Sequence, residues 1–353
     1  MSDHAAPPEP RANPDLFGQN AAAAALRDAA LGGRPHHAWL ITGPEGVGKE
    51  TLAFRYARWL LAGMPDAAVG QVPLHLDARH PVFSRVASGG HADLKPLAPT
   101  VPEGKVRVQI GVDEVRAVPR FLSLTSAEGG WRVVIVDHAD WMIGAAQNAV
   151  LKTLEEPPPR ATLLLLSDAP DRLLPTIRSR CRRLSLPPLQ GPDLRGLIAR
   201  WFSAMPGEER EALARAARGS PGRALRLAEG DGLALARDVE GFLASLPVPD
   251  PRGLHALADR IAAKRDGSAF AGFAAMLRDA LADAVAGAAR GAGRGGGAAP
   301  SPPAWLAARP LDEWARLWAE LGEVAARTDG LNLDRKEAIL GALRGMAGAG
   351  RRA

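Results

Sequence analysis

Residues 43–51, with the sequence GPEGVGKET, could hold the phosphates of a nucleotide. In a phosphate-binding loop, two glycines separated by four residues let backbone N–H groups cradle the phosphates, and the lysine that follows pairs with their charge. The residues that satisfy this pattern here are Gly43, Gly48 and Lys49, and Gly46 is a further glycine inside the loop. The next position normally carries Ser or Thr, whose hydroxyl ligates Mg²⁺. Glu50 occupies it, so the sequence predicts a phosphate loop without its magnesium ligand and with a carboxylate that repels phosphate.

Two further residues belong to the same candidate site. Thr51 comes one position too late, and one residue of helix rotates a side chain by about 100°, which directs its hydroxyl away from the phosphates. Asp137 ends a buried apolar run and could supply an acid for a metal. We therefore expect a degenerate site that holds no metal, requires no cofactor and binds ATP or ADP weakly at most.

The elements around the loop occur in the order of a parallel sheet covered by helices on both faces. Short apolar runs predict buried strands, and amphipathic runs between them predict helices. Strands are predicted at 38–42, 106–110, 131–137, 161–167 and 182–186, and helices at 20–31, 52–61, 112–124 and 145–154. The segment between the second helix and residue 105 has little periodicity and is expected to be irregular.

After a proline-rich hinge at residues 187–192, only helical patterns follow. Helices are predicted at 193–204, 208–217, 221–229, from 234 onward, at 311–326 and at 334–345. The predicted organisation is a flexible tail (1–12), an α/β nucleotide-binding-like domain (13–187), a small helical domain (188–232) and an all-α domain (233–353) with a Gly/Pro-rich loop at 287–303.

Composition restricts the class of protein. The 353 residues carry a net charge of +5, but 38 of the 44 basic residues are arginine, a bias that makes basicity a weak sign of DNA binding. The single cysteine, Cys181, excludes an internal disulfide. No apolar run has the roughly 20 residues of a membrane span. We expect a soluble, intracellular protein with no membrane partner.

Several motifs in this order resemble the AAA+ clamp-loader family of bacterial DNA polymerase III. After the phosphate loop come NAVLKTLEEPP at residues 148–158, RSRC at 178–181 and GSPGRAL at 219–225. A weaker match follows at 331–336. The LKTLEEP block is a highly specific signature of clamp loaders.

The resemblance implies three domains: an α/β nucleotide-binding domain, a helical lid and a helical collar that joins five subunits in a ring. Such a ring contains motor (gamma/tau) and wrench (delta) subunits, acts in the bacterial cytoplasm, and loads the sliding clamp onto primed DNA. For this chain it implies a largely non-catalytic stator, without ATPase activity of its own, within a DNA-polymerising complex.

In active relatives, a carboxylate after the strand acid activates water, and an arginine comes from a neighbouring subunit. His138 replaces that carboxylate. Arg180, in Ser-Arg-Cys, matches the arginine that the family inserts into the adjacent site; an ordinary surface arginine is the alternative. Arg223 matches the lid arginine and is expected to hold the lid against the core.

Other interpretations stay open at this point. Many relatives carry a four-cysteine zinc module after the first helix, but this region has no cysteine, and the spacing of His75, Asp77, His80 and His91 does not fit structural zinc. The chain could instead be an ATP-hydrolysing motor subunit or another AAA+ ATPase, or bind DNA directly. Trp305, Trp314 and Trp318 indicate a packed collar or subunit interface, with an ordinary core as an equal alternative.

Overall fold

The computed structural model describes residues 7–32, 36–66, 72–100, 109–264, 266–293, 302–330 and 333–347. The chain divides into two compact units, residues 1–225 and 226–353. The boundary falls inside the helix Pro221–Ala228. The predicted helical domain at 188–232 is therefore mostly part of the first unit.

A five-stranded parallel sheet forms the centre of the first unit. Its order is β2-β3-β4-β1-β5, and each pair of neighbours is parallel. This confirms the predicted α/β class. The strands are β1 Ala38–Thr42, β2 Leu94–Leu97, β3 Arg132–Val136, β4 Ala161–Ser167 and β5 Arg182–Ser185.

Strand β2 and a helix before it lie in the segment that was expected to be irregular. β2 has four residues, contains Pro96 and pairs only with β3 at the edge of the sheet. A central strand cannot tolerate proline, but an edge strand can, and so short an element leaves no clear pattern. The strand predicted at 106–110 lies mostly outside the described residues; Gln109 and Ile110 form only isolated bridges.

Helices cover both faces of the sheet. Alternate strand residues such as Leu40, Val134 and Leu163 belong to one apolar core with the buried faces of α4, α5 and α6, and α2 contacts β3 and β4. The helices of this unit, the last of which crosses into the second, are α1 Asn20–Leu31, α2 Lys49–Leu61, α3 Pro81–Ala87, α4 Val112–Ser123, α5 Gly144–Glu155, α6 Pro175–Arg180, α7 Gly191–Trp201, α8 Gly207–Ala217 and α9 Pro221–Ala228.

The described part of the predicted tail is packed against α2. Residues 10–12 form one turn of 3-10 helix. Buried Arg58 donates from its two terminal nitrogens to the carbonyl oxygens of Arg11 and Asn13, both at 2.7 Å, and Arg55 donates to Pro14 O at 2.6 Å. The flexible tail predicted for residues 1–12 is therefore not found at residues 10–12, which are held against α2.

The second unit is helical in its described residues. Its core contains Trp314, whose indole N–H donates to Leu306 O at 3.0 Å and whose ring meets that of Trp305 edge-on. Trp318 is 37% exposed, with Arg278 over its ring. No helix in the described residues is long and apolar enough to cross a membrane. The helices are α10 Gly232–Ser245, α11 Pro251–Ala262, α12 Ser268–Gly293, α13 Leu311–Gly330 and α14 Arg335–Ala347.

The start of the predicted Gly/Pro-rich loop is helical instead. Residues 287–293 belong to α12, and residues 294–301 lie outside the description. Alanine has the highest helix propensity and glycine costs only about 1 kcal/mol per residue, so a helix already formed through the alanines before residue 287 extends through the glycines that follow.

Candidate functional site

The predicted phosphate loop and the predicted acid come together at the carboxyl edge of the sheet. Asp137 follows β3, Asp168 follows β4, and the loop follows β1, in three strands that are neighbours in the sheet. Because parallel strands end at one edge, ligand sites of open α/β sheets form there. The arrangement brings Asp137, Asp168 and Lys49 into one pocket.

Lys49 is the first residue of α2 and is almost fully buried. Its ammonium group donates to the carbonyl oxygens of Gly43 at 2.9 Å and Pro44 at 2.8 Å. Its third partner is the carboxylate of Asp168, through Oδ1. The side chain is therefore directed back onto its own loop and onto the end of β4.

His138 lies on the other side of the same carboxylate. Its Nδ1 is 3.2 Å from Asp168 Oδ2, and this hydrogen bond, opposed by burial, raises the pKa of His138 above its ordinary value. Its backbone has a φ of +45°, a strained conformation for a residue with a side chain. His138 thus serves as a hydrogen-bond partner for Asp168, and an imidazole stands where a carboxylate could activate water.

The remaining carboxylates of the pocket resist ionisation. Burial, and then repulsion by Asp137, raise the pKa of Glu50 to about 7. Burial also raises the pKa of Asp137, although His138 opposes the shift. A negatively charged triphosphate would add to this repulsion.

The loop also contacts the start of α9. Gly46 has a φ of +73°, and a Cβ atom there would lie 2.7 Å from Ser220 Oγ and 3.0 Å from Gly222 Cα. Ser220 Oγ donates to Glu45 O at 2.8 Å, and Gly222 N donates to Gly46 O at 2.9 Å. The backbone N of Arg223 donates to Ser220 Oγ. The predicted lid residue Arg223 is thus next to the loop through its backbone, and its role as a lid contact stays a prediction.

Thr51 is the third residue of α2. It lines a cavity of about 60 Å³ together with Asn13, Phe17, Gly48 and Pro221. Cavities that enclose small ligands are commonly about 300–1,000 Å³.

Arg180, the predicted arginine finger, ends α6. Ile177 and Cys181 are buried and face the core, whereas the Arg180 side chain is 36% exposed. Its Nη2 is 2.9 Å from Glu155 Oε1, and its Nη1 donates to Thr176 O at 3.1 Å. The guanidinium is therefore held at the surface by the end of α5.

Three of the four residues considered as zinc ligands have separate structural roles. His80 Nδ1 accepts from Val82 N at the start of α3, His91 Nδ1 accepts from Asp93 N, and Asp77 accepts from Arg79 N. Within the described ranges, no group of three potential ligands could hold a metal ion.

Sequence reasoning missed Asp168, Asp140 and the contribution of Ser220. Asp140 Oδ1 accepts from Asp168 N at 3.3 Å, which ties the end of β4 to the turn after β3. A signal for Asp168 was available, since an acid directly after a buried strand was noticed at Asp137. Ser220 lies in a motif that was recognised, but its contact with the loop depends on the fold.

The comparisons with known proteins agree with the motifs. A family model described as DNA polymerase III, delta subunit, matches residues 18–190. DNA polymerase III subunit delta′ of Pseudomonas aeruginosa is 40% identical over 201 residues, which are 56% of this chain and 58% of that protein. The Escherichia coli subunit delta′ is 38% identical over 205 residues, or 56% of each chain.

A more distant similarity connects the chain to another subunit type. DNA polymerase III subunit gamma/tau of Mycobacterium bovis is 31% identical over 192 residues, which cover 53% of this chain and 30% of that protein. The chain matches little more than half the length of the two delta′ relatives. Over this region the sequence, the motifs and the parallel sheet are mutually consistent, and residues 18–190 match a delta-prime-type clamp-loader subunit of DNA polymerase III.

Proposed function

We propose that the chain acts as the delta-prime subunit of a bacterial clamp loader, as a stator that neither requires a nucleotide nor hydrolyses ATP. One observation carries the proposal: the pocket of the phosphate loop is filled by charges that satisfy one another. Asp168 is bonded to both Lys49 and His138, and Glu50 stands in place of the magnesium hydroxyl. Phosphoryl transfer needs cations and a water-orienting group in this place, so hydrolysis here is not supported.

The partners follow from the same proposal. The chain joins motor (gamma/tau) and wrench (delta) subunits in a five-subunit ring and contacts the sliding clamp and primed DNA through that complex, in the cytoplasm. Helices α10 to α14 form its collar. The similarity to a gamma/tau subunit supports a common origin with that subunit type.

The chain contributes to catalysis through Arg180, which enters the ATP site of a neighbouring subunit. Its position supports this role, because the guanidinium lies at the surface and is oriented by Glu155 and Thr176. A planar guanidinium can donate two parallel hydrogen bonds to a phosphate. An arginine finger accelerates hydrolysis by about 10³–10⁵-fold at the site that it enters.

The test is DNA-dependent ATP hydrolysis by a complex reconstituted with gamma/tau and delta subunits. Arg180→Ala should remove the share of hydrolysis contributed by the adjacent site, because the arginine finger stabilises charge in its transition state. The matched control is Arg183→Ala, an exposed arginine of the same basic run. Equal ATPase rates for the two variants would contradict the arginine-finger role.

Two outcomes would contradict the wider proposal. Failure of the folded chain to assemble with gamma/tau and delta subunits would argue against membership of the ring. ATP turnover by the purified chain alone, at the rate of a motor subunit, would argue against a stator and in favour of the motor interpretation.

A further inference from the structure

Lys49 has no hydrogen-bond donor left for a phosphate. An ammonium group carries three N–H donors, and Lys49 Nζ has three acceptors within the chain: Gly43 O, Pro44 O and the Asp168 carboxylate. The side chain is only 8% exposed. Its charge and its hydrogen-bonding capacity are both used internally.

Asp168 is fixed in place from several sides. Oδ1 accepts from Lys49, Oδ2 contacts His138 Nδ1 at 3.2 Å, and the backbone N–H donates to Asp140 Oδ1 at 3.3 Å. Burial by itself would raise the pKa of Asp168, but hydrogen bonds from His138 and Lys49 outweigh it, so the pKa lies below its ordinary value. The carboxylate is therefore ionised at neutral pH and contacts the lysine ammonium group.

The loop backbone is engaged as well. Gly46 O accepts from Gly222 N, and Glu45 O accepts from Ser220 Oγ. These bonds connect the middle of the loop to the start of α9, while Lys49 connects its end to β4. A phosphate entering the loop would have to compete with Asp168 for the ammonium group of Lys49.

We propose that Asp168 is an internal ligand of the phosphate loop, which excludes nucleoside triphosphates by occupying Lys49 and turns the loop into a structural joint between the sheet and α9. This deepens the proposed stator role, on which it rests, by naming the residue that excludes nucleotide. Asp168 is the carboxylate responsible, because Glu50 and Asp137 only repel an anion from nearby, whereas Asp168 takes the lysine's third donor.

The experiment measures binding of MgATP and of metal-free inorganic tripolyphosphate to the isolated full-length chain by titration calorimetry. Tripolyphosphate tests the loop without the magnesium ligand that Glu50 has replaced. Asp168→Asn removes the charge but keeps the shape of the side chain. Removing one negative charge beside the site should tighten binding of tripolyphosphate by about tenfold or more, with no measurable binding to the wild-type chain at millimolar concentration.

The control is Asp171→Asn, which removes an exposed carboxylate three residues away that pairs with Arg178. It should behave like the wild-type chain. The double variant Lys49→Ala, Asp168→Asn should lose the gained binding, because the loop then has no ammonium group. If Asp168→Asn does not fold, Asp168→Thr replaces it, since a β-branched residue suits the end of a strand.

Two results would overturn the inference. If the wild-type chain and the folded Asp168 variant bound tripolyphosphate equally, or if neither bound it, Asp168 would not be the group that excludes the phosphate. Gained binding that survives loss of Lys49 would mean that the anion binds elsewhere. Neither result depends on assembly with other subunits, so either could occur while the Arg180 experiment supports the stator, and the reverse also holds.

Discussion

The phosphate-loop pocket and the Arg180 surface differ in what their charged groups contact. In the pocket, Lys49 and His138 are each bonded to Asp168, and all three side chains are at least partly buried. At the surface, Arg180 is more than one-third exposed and contacts only Glu155 and a backbone carbonyl. In the proposed ring, each ATP site combines the phosphate-loop pocket of one subunit with the arginine surface of its neighbour.

This difference separates two roles that one ATPase fold usually combines. A site in which the charges neutralise one another has no free charge for a ligand, but it contributes to holding the domain together. A guanidinium on a short surface helix costs the fold little and is available to another chain. The comparison therefore predicts large stability effects in the loop and small ones at Arg180.

The largest stability effect is expected for Gly46→Ala. The new Cβ would lie 2.7 Å from Ser220 Oγ and 3.0 Å from Gly222 Cα, in addition to the cost of a positive φ. We expect the free energy of unfolding to fall by about 2–4 kcal/mol. Urea unfolding followed by circular dichroism measures it.

Gly48→Ala is the matched control in the same loop. Gly48 also has a positive φ, of +101°, but its Cβ would have nothing within 4 Å. The variant should lose about 1–2 kcal/mol from the backbone alone. If both variants lost the same free energy, the contact between the loop and α9 would contribute nothing, and the loop would not be a structural joint.

An intermediate effect is expected from the pH dependence of Glu50. Its pKa is raised to about 7 in the folded chain from an ordinary 4.5. The folded state therefore binds the Glu50 proton more tightly than the unfolded state does. This difference contributes fully to stability below pH 4.5, and the contribution is lost as the pH rises through 7. Glu50→Gln should stabilise the chain at pH 8 by about 1–2 kcal/mol, after allowance for solvent screening.

The measurement is the difference in unfolding free energy between Glu50→Gln and the wild-type chain from pH 5 to pH 8. This difference removes the contributions of the other titrating groups, to the extent that they are independent of Glu50. Glu45→Gln, on the same loop but exposed, controls for the loss of one carboxylate. A difference that stays constant over this pH range would show that Glu50 is ionised without cost.

The sequence was sufficient where function depends on neighbours along the chain. The loop, the acid after β3 and the Ser-Arg-Cys tripeptide are local patterns, and the structure locates each on the expected element. The predicted strands at 38–42, 161–167 and 182–186 were confirmed to within one residue. The strands at 38–42 and 161–167 are continuous, buried apolar runs, which are typical of the inner strands of a parallel sheet.

The sequence was insufficient where an element depends on its position in the sheet. β2 is stable because it pairs with β3, although its four residues include a proline. Asp168 can contact Lys49 only because β4 lies next to β1 in the sheet, which places its carboxylate beside the loop. The approach of Gly222 to Gly46 joins residues far apart in the chain, and no local pattern encodes it.

The smallest effect is expected where the Arg180 region contributes to the fold. The ion pair between Arg180 and Glu155 is half-exposed, and such pairs contribute about 0–1 kcal/mol. Glu155→Gln and Arg180→Ala should each change the free energy of unfolding by less than about 0.5 kcal/mol in the same urea titration. A loss as large as that of Gly46→Ala in either variant would mean that Arg180 is retained as part of the fold, because its removal would then damage the domain. With stability unchanged, any fall in ATP hydrolysis by the reconstituted complex must come from the missing guanidinium, and the two regions would be separable in energy as they are in structure.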